Sequence, residues 1–292
     1  MGRDLCAQFP QARATFDEAD AVLGFALSQL CFEGPLDELT LTENAQPALV
    51  TASTALCRVL ESELGLTPSW VAGHSLGEFS GLVAAGGLAF SDAVRVVRER
   101  GRAMQAAVAP GKGKMAAIIG LEESVVSEIC VEAAAGQVVA AANLNGGGQV
   151  VIAGDADAVD RACSLAKERG ARRALPLNVS APFHCALMQP AAERLREVLD
   201  TVEFHPMRCP VISNVEARAY SDSSKARDLL VAQVTHPVRW RESVESLAEL
   251  GCRVAIEVGP GKVLSGLVKR IAPDLRCLSG EDIGAVRAEL LA

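Results

Sequence analysis

Apolar residues recur at intervals of three and four along two N-terminal stretches. Over residues 11–30 charged and apolar positions alternate at helical spacing; over residues 44–64 Leu49, Ala52, Leu56 and Leu60 fall on one stripe of a longer, more apolar helix. Trp70, Val71 and Ala72 then form a run short enough for a buried strand, and residues 78–85 hold good helix formers without proline. Ser91 is placed to N-cap the next helix, with Asp92 in its first turn and an end near residue 108. Val97, Arg100 and Met104 are spaced by three and four in it, which sets Arg100 on or beside an apolar stripe and Arg102 one face away, in solvent.

Pro110, Gly111 and Gly113 break that pattern and mark a boundary. Beyond it the pattern predicts a strand (114–120), a helix (122–135), a strand (137–143), a turn (145–148), a strand (149–153), a helix capped by Asp155 (155–170) and a strand (172–177). The order βαββαβ is that of a ferredoxin-like unit, an insertion over 111–178 within a discontinuous domain of 1–110 and 179–292. Gly146, Gly147 and Gly148 read as a hairpin turn, since neither a Lys-Ser/Thr pair nor a helix comes after them. The remainder is α/β: a helix over 187–199, a strand over 211–215, helices over 223–234 and 240–250, and a strand over 253–258. Gly259, Pro260 and Gly261 then lead into a helix over 262–271. That junction is expected to be a tight turn in a parallel sheet, with anion binding at the helix start as the other reading.

With 292 residues, 50% of them hydrophobic, the chain can bury a large core. Its net charge of -8, from 28 basic and 36 acidic residues, argues against a non-specific nucleic-acid surface. The sequence has no apolar run of about 18 residues and no signal-type apolar segment at Met1–Leu5, so a soluble cytoplasmic protein without membrane attachment is expected. Nine cysteines without a C-x-x-C pair point to reduced thiols, mostly small core residues, and to no metal site. Internal repeats and low-complexity tracts are absent.

The candidate chemistry centres on Gly73, His74, Ser75, Leu76 and Gly77, between the short strand and a helix. A Gly-x-Ser-x-Gly turn needs small flanking residues to lift the serine hydroxyl clear, and it aims the next N–H, that of Leu76, at a developing oxyanion. A serine nucleophile needs a base within hydrogen-bond reach. Of the four histidines, His74 lies within the turn and points away from the serine, while His205 and His236 each precede proline and read as loop residues. His184 is the choice. Arg100 cannot shed its charge and needs an anion opposite it. An internal salt bridge, snorkelling past the stripe and a bidentate clamp on a substrate carboxylate all remain open.

Four ordered motifs carry a family resemblance: Gly-His-Ser-Leu-Gly-Glu-Phe-Ser at 73–80, Arg-Gly-x-x-Met-Gln at 100–105, Ser-Ala-Pro-Phe-His-Cys-Ala-Leu-Met at 180–188 and Glu-Val-Gly-Pro-Gly-Lys-Val-Leu at 257–264. Together they resemble the malonyl-CoA:acyl-carrier-protein transacylases over essentially the whole chain. The resemblance implies an α/β-hydrolase-like large domain and ping-pong transfer from malonyl-CoA, through a malonyl-serine intermediate, to the phosphopantetheine of acyl carrier protein. It implies no cofactor of the enzyme's own. Carried over residue by residue, Ser75 matches the nucleophile, His184 the base, Arg100 the malonyl-carboxylate ligand, and Gln233 the residue whose main-chain carbonyl orients the histidine. Met104 falls within the arginine motif and is counted with the substrate-binding residues, as is Leu76. Phe183 resembles the bulky residue of malonyl-selective enzymes and is expected either to crowd an α-methyl group or simply to pack beneath the site.

Members of that family begin with an apolar strand and a Gly-Gln-Gly-x-Gln loop, whereas this chain begins at a segment resembling the one just after that loop. The expectation is a start upstream of Met1. Fatty acid synthesis is the expected pathway, with a trans-acting polyketide acyltransferase second and an inactive carrier-protein-binding remnant third. A serine hydrolase fits less well, because its histidine normally comes late, while more than a hundred residues lie beyond His184.

Overall fold

Residues 3–64 fold as α1 (Arg3–Gln8), α2 (Pro10–Leu23), α3 (Leu27–Glu33), α4 (Leu36–Thr40) and α5 (Thr42–Leu64) in the computed structural model, which describes residues 1–179 and 181–291. Ser180, the first residue of the 180–188 motif, and Ala292 lie outside the described residues. Where one helix is expected over 11–30, the chain turns at Gly24, and the Asp20 carboxylate accepts hydrogen bonds from the Ser28 N–H and hydroxyl at 2.8 and 2.5 Å. Helical spacing does not register this break, because α2 and α3 bury Phe16, Ala19, Leu27 and Leu30 in the same core.

β1 (Val71–Ala72) leads through the serine turn into α6 (Gly77–Ala84) and then α7 (Phe90–Ala106). Helix α7 starts at buried Phe90, not after Ser91: Ala89 is its N-cap, with no side-chain cap bond. Leu88, bridged to Phe204, fixes the start from outside the helix. Helices α5 and α7 approach closely because Gly101 lacks a Cβ, which would lie 2.6 Å from the Thr42 carbonyl oxygen. One turn further along α5, Gln46 thereby comes beside Arg100.

Residues 113–176 form β2 (Gly113–Ile119), α8 (Glu123–Ala134), β3 (Val139–Leu144), β4 (Gln149–Asp155), α9 (Ala156–Glu168) and β5 (Arg173–Pro176). The sheet order is β3-β4-β2-β5, and every neighbouring pair is antiparallel. Alternation along the strands splits its apolar residues between two faces. Ala116, Ile118, Val150 and Ile152 pack on Val126 and Ile129 of α8 and Val159 and Ala162 of α9. Met115, Ala117, Val151 and Ala153 face the other way, against Phe183 and Cys185, so this sheet forms one wall of the segment that carries His184. Asp155 is the N-cap residue of α9, but its carboxylate does not cap: it accepts the Val138 N–H at 2.7 Å and holds the start of β3.

After a 3-10 turn (Ala186–Met188) come α10 (Gln189–Leu199), β6 (Val211–Ile212), β7 (Ala219–Tyr220), α11 (Ala226–Thr235) and α12 (Trp240–Glu249). They are followed by β8 (Val254–Glu257), α13 (Val263–Ile271), β9 (Arg276–Ser279) and α14 (Ile283–Leu290). Where a parallel sheet is expected, the described residues hold two short ones: β1-β6-β7, parallel and then antiparallel, and the parallel pair β8-β9. Just beyond β1 and β6 the two chain segments are joined by the Asn214 side chain, which bonds to the Gly73 carbonyl and the Ser75 N–H. At the 259–261 junction the role of an anion is taken internally: the Glu257 carboxylate accepts the Leu264 and Ser265 N–H groups at 2.9 and 2.8 Å and stabilises the start of α13.

Two devices tie the four-stranded sheet to the rest. Val238 adds a bridge to its edge, with N–H···O bonds of 2.9 Å to Ala142 and from Leu144, and Arg241 of α12 grips Glu123 of α8 through two bonds of 2.9 and 3.1 Å. All nine cysteines are unpaired; five are buried and four partly buried. Among the described residues no helix is long and apolar enough to cross a membrane.

Candidate active site

The serine turn is made by backbone crowding. Ser75 sits at φ 50°, a left-handed conformation that costs a non-glycine residue roughly 1–3 kcal/mol. Gly73 permits it, since a Cβ there would lie 2.0 Å from the Gly77 carbonyl; a Cβ on Gly77 would meet nothing within 4 Å. Only the first glycine is therefore required by close approach. Asn214, just after β6, clamps the turn on both sides: its Oδ1 accepts the Ser75 N–H at 2.6 Å and its Nδ2 donates to the Gly73 carbonyl at 2.7 Å. The next N–H, that of Leu76, has no acceptor among the described residues.

His184, at φ 61° and 4% exposed, places Nε2 2.8 Å from the Ser75 hydroxyl. Its Nδ1 lies 2.8 Å from the Gln233 main-chain carbonyl, which can only accept, so Nδ1 carries the proton and Nε2 is free to take one from serine. Burial, and then the nearby Arg100 cation, hold the imidazole down to about 3, so it is a neutral base throughout the physiological range.

Arg100 is 2% exposed, and among the described residues the hydrogen-bond partners of its guanidinium are all neutral. One terminal nitrogen donates to the Gln46 side-chain oxygen at 2.8 Å; the other donates to the Gln233 side-chain oxygen and to Ser75 Oγ, both at 3.0 Å. The guanidinium lies 5.5 Å from the centre of the Phe79 ring. Burial lowers its pKa to about 10, which leaves it charged at neutral pH. Neutral amide oxygens thus orient the cation without cancelling its charge. This differs from the internal salt bridge, one of the three readings open in the sequence.

Ser75, His184, Arg100 and Gln233, from four separate segments, converge here. Leu76 is the N-cap of α6 and packs on the main core. Met104 is 2% exposed, and its sulfur receives at 3.9 Å the amide of Gln46, the residue whose side-chain oxygen holds Arg100. Phe183 is half-buried between the main core and the four-stranded sheet, directly before the histidine. His74 turns from the serine toward Asn145, 2.9 Å from its side-chain oxygen, with its ring 5.5 Å from that of Trp240. Arg102 is exposed and pairs with Glu43 and Glu99.

Sequence reasoning misses Gln46, Glu78 and Asn214. The available signal was the one that singled out Arg100, a polar residue on a core-facing stripe: Gln46 precedes Leu49 and Val50 by three and four positions, and Glu78 precedes buried Leu82 by four.

Residues 1–274 match the family described as acyl transferase domain. The chain is 49% identical over 290 residues to the malonyl CoA-acyl carrier protein transacylase of Escherichia coli strain K12, covering 99% of this chain and 94% of that protein. It is equally similar, at 49% over 283 residues, to the protein of that name from Bacillus subtilis strain 168, covering 97% and 89%. Among solved structures, the malonyl CoA-acyl carrier protein transacylase of Coxiella burnetii superposes with a TM-score of 0.98 at 42% identity, over 100% of this chain and 93% of that one. A malonyl-transacylase solved in complex with its type II polyketide synthase acyl-carrier protein gives 0.93 at 47% identity, over 96% and 90%.

Proposed function

The chain belongs to the acyl transferase family, and from that membership we propose that it moves the malonyl group of malonyl-CoA to the phosphopantetheine thiol of acyl carrier protein, for fatty acid synthesis. Ser75 Oγ attacks the thioester carbonyl as its proton passes to His184 Nε2. The C–S bond then breaks and the CoA thiolate takes that proton, leaving a malonyl ester on Ser75. In the second half the carrier thiol gives its proton to His184 and attacks the ester, and Ser75 Oγ leaves with the proton. The Leu76 N–H faces the oxyanion in both halves.

The observation that carries this reading is the Arg100 guanidinium, held on neutral oxygens 3.0 Å from Ser75 Oγ. A malonyl ester on that oxygen brings its distal carboxylate back onto the fork, a bidentate contact that acetyl cannot make. The same contact neutralises the cation that suppresses imidazolium formation, so substrate binding strengthens the base. Held in this way and shielded from water, the acyl group awaits a thiol. Phe183 crowds an α-methyl group, Met104 backs the arginine through Gln46, and the Gln233 carbonyl orients the base. The enzyme needs no cofactor of its own, and a cytoplasmic location suits its substrates.

The body, 1–110 and 179–292, is read as α/β-hydrolase-like and the segment 111–178 as a ferredoxin-like insertion; the strand order β3-β4-β2-β5 with two helices on one face supports the latter. A polyketide-synthesis carrier is the second acceptor, on the likeness to the transacylase solved with one.

Incubation with radiolabelled malonyl-CoA tests the reading. Stable label on Ser75 that moves to holo acyl carrier protein is expected, with a loss of about 10⁴-fold or more in Ser75→Ala and poor labelling by methylmalonyl-CoA. Release as free malonate, or no label, overturns transfer; equal labelling by methylmalonyl-CoA overturns the role of Phe183.

A further inference from the structure

The carboxyl of Glu78 is fully buried in the first turn of α6, three residues after the candidate nucleophile, and takes no part in the steps above. Its Oε2 accepts two hydrogen bonds, from the Gln233 side-chain amide at 2.7 Å and the Asn214 N–H at 3.1 Å, while Oε1 is buried without a partner. Each donor leads to a different half of the site. The Gln233 Nε2 also donates to the Ser75 carbonyl at 3.0 Å, so both of its hydrogens are committed and its oxygen must face Arg100. A flipped amide would set its oxygen against two other oxygens and its NH₂ against the guanidinium. Asn214, held through its N–H, spans Gly73 and Ser75 with its side chain.

We propose that Glu78 is a positioning residue: one carboxyl oxygen sets the Gln233 amide that aims Arg100 and anchors the Asn214 clamp that shapes the serine turn. This rests on the reading of Arg100 as the malonyl-carboxylate ligand. Burial pushes the Glu78 carboxyl up to about 7, against the pull of the Asn214 N–H, the Gln233 amide and Arg100, in that order. Both protonation states are therefore populated near neutrality, and either keeps Oε2 as an acceptor if the proton sits on Oε1. The role is that of an acceptor oxygen rather than of a fixed charge.

The test compares Glu78→Gln, Glu78→Ala and Glu78→Met with the unmodified chain. Steady-state transfer from malonyl-CoA and acetyl-CoA is measured beside the rate at which a fluorophosphonate modifies Ser75. Glu78→Gln, which keeps an acceptor oxygen, is expected within about threefold of the parent. Glu78→Ala and Glu78→Met are expected to raise KM for malonyl-CoA about tenfold, to lower the malonyl-to-acetyl ratio of kcat/KM by a similar factor and to slow serine modification about tenfold. Folded Ala and Met variants with parental kinetics overturn the proposal, and so does a Gln variant as impaired as they are. If Ala and Met do not fold, the Gln variant decides; if none of the three folds, the carboxyl serves the fold and the assignment fails. A parent chain that transfers no malonyl overturns the functional reading instead, while the fluorophosphonate rate still reports on Glu78 and the serine turn.

Discussion

The four-stranded unit and the body it joins bury different things. The helix-facing core of the unit is Ala116, Ile118, Val126, Ile129, Val150, Ile152 and their apolar neighbours, with its charges outside. The body, beside an apolar core of its own, also buries Gln46, Glu78, Arg100, His184, Asn214 and Gln233, a cluster that hydrophobic packing alone would exclude. Apolar packing makes the unit a wall that holds its shape. The polar cluster is expensive to bury, and nearly every hydrogen bond in it also orients a group around Ser75. The difference teaches where to look for chemistry: in the core positions that break the rule the neighbouring core obeys.

Breaking that contrast on the polar side is expected to have the larger effect. Arg100→Ala leaves two buried amide oxygens without a donor and removes the carboxylate fork; kcat/KM for malonyl-CoA is expected to fall about 10³-fold, roughly 4 kcal/mol, with acetyl-CoA affected much less. Equal losses for the two substrates would show that the arginine serves the fold alone.

On the apolar side, Ile152→Ala removes a fully buried side chain between β4 and the helices. Denaturant unfolding should report a loss of about 3 kcal/mol, while kcat of the folded fraction stays near that of the parent. A change in kcat comparable with that from a site substitution would show that the wall and the site are not separable.

The smallest effect is one of pH. In the free enzyme an ordinary imidazole would lose about tenfold in kcat/KM one unit below its pKa of about 6.5. With His184 held down to about 3, first by burial and then by Arg100, the profile is expected to vary less than about twofold from pH 8 to 5.5. A folded-state pKa below the unfolded value means that the unfolded chain takes up the proton first. The stability His184 contributes is thus present above about pH 6.5 and is lost as pH falls from there toward 3. An inflection near 6.5 in kcat/KM would place the imidazole in contact with solvent and break the polar side of the comparison.

Much of this was legible in the chain. Spacing of three and four in the fourth long helical stretch put Arg100 on an apolar face, the βαββαβ order of 113–176 came from alternation and turns, and the Gly-x-Ser-x-Gly motif located Ser75. Boundaries were less so: Gly24 divides one helical pattern into two, and α7 begins at Phe90 because Leu88 is pinned from elsewhere. Asp155 and Ser91 have the side chains of N-caps and do not cap, since a distant N–H claims one and the helix already includes the other.

By itself the sequence determined what is local: helical and strand periodicity, the crowded serine turn, and the presence of an arginine that burial would strand without partners. Tertiary structure decided which partners it found. Gln46, Gln233 and Ser75 stand 54, 133 and 25 residues from Arg100, and Asn214 stands 139 from the serine it clamps. Hydrogen bonds depend on tenths of an ångström and on direction, whereas periodicity reports only which face of an element is buried. That neutral amides rather than a carboxylate would meet the guanidinium was settled only when α5, α7 and α11 packed.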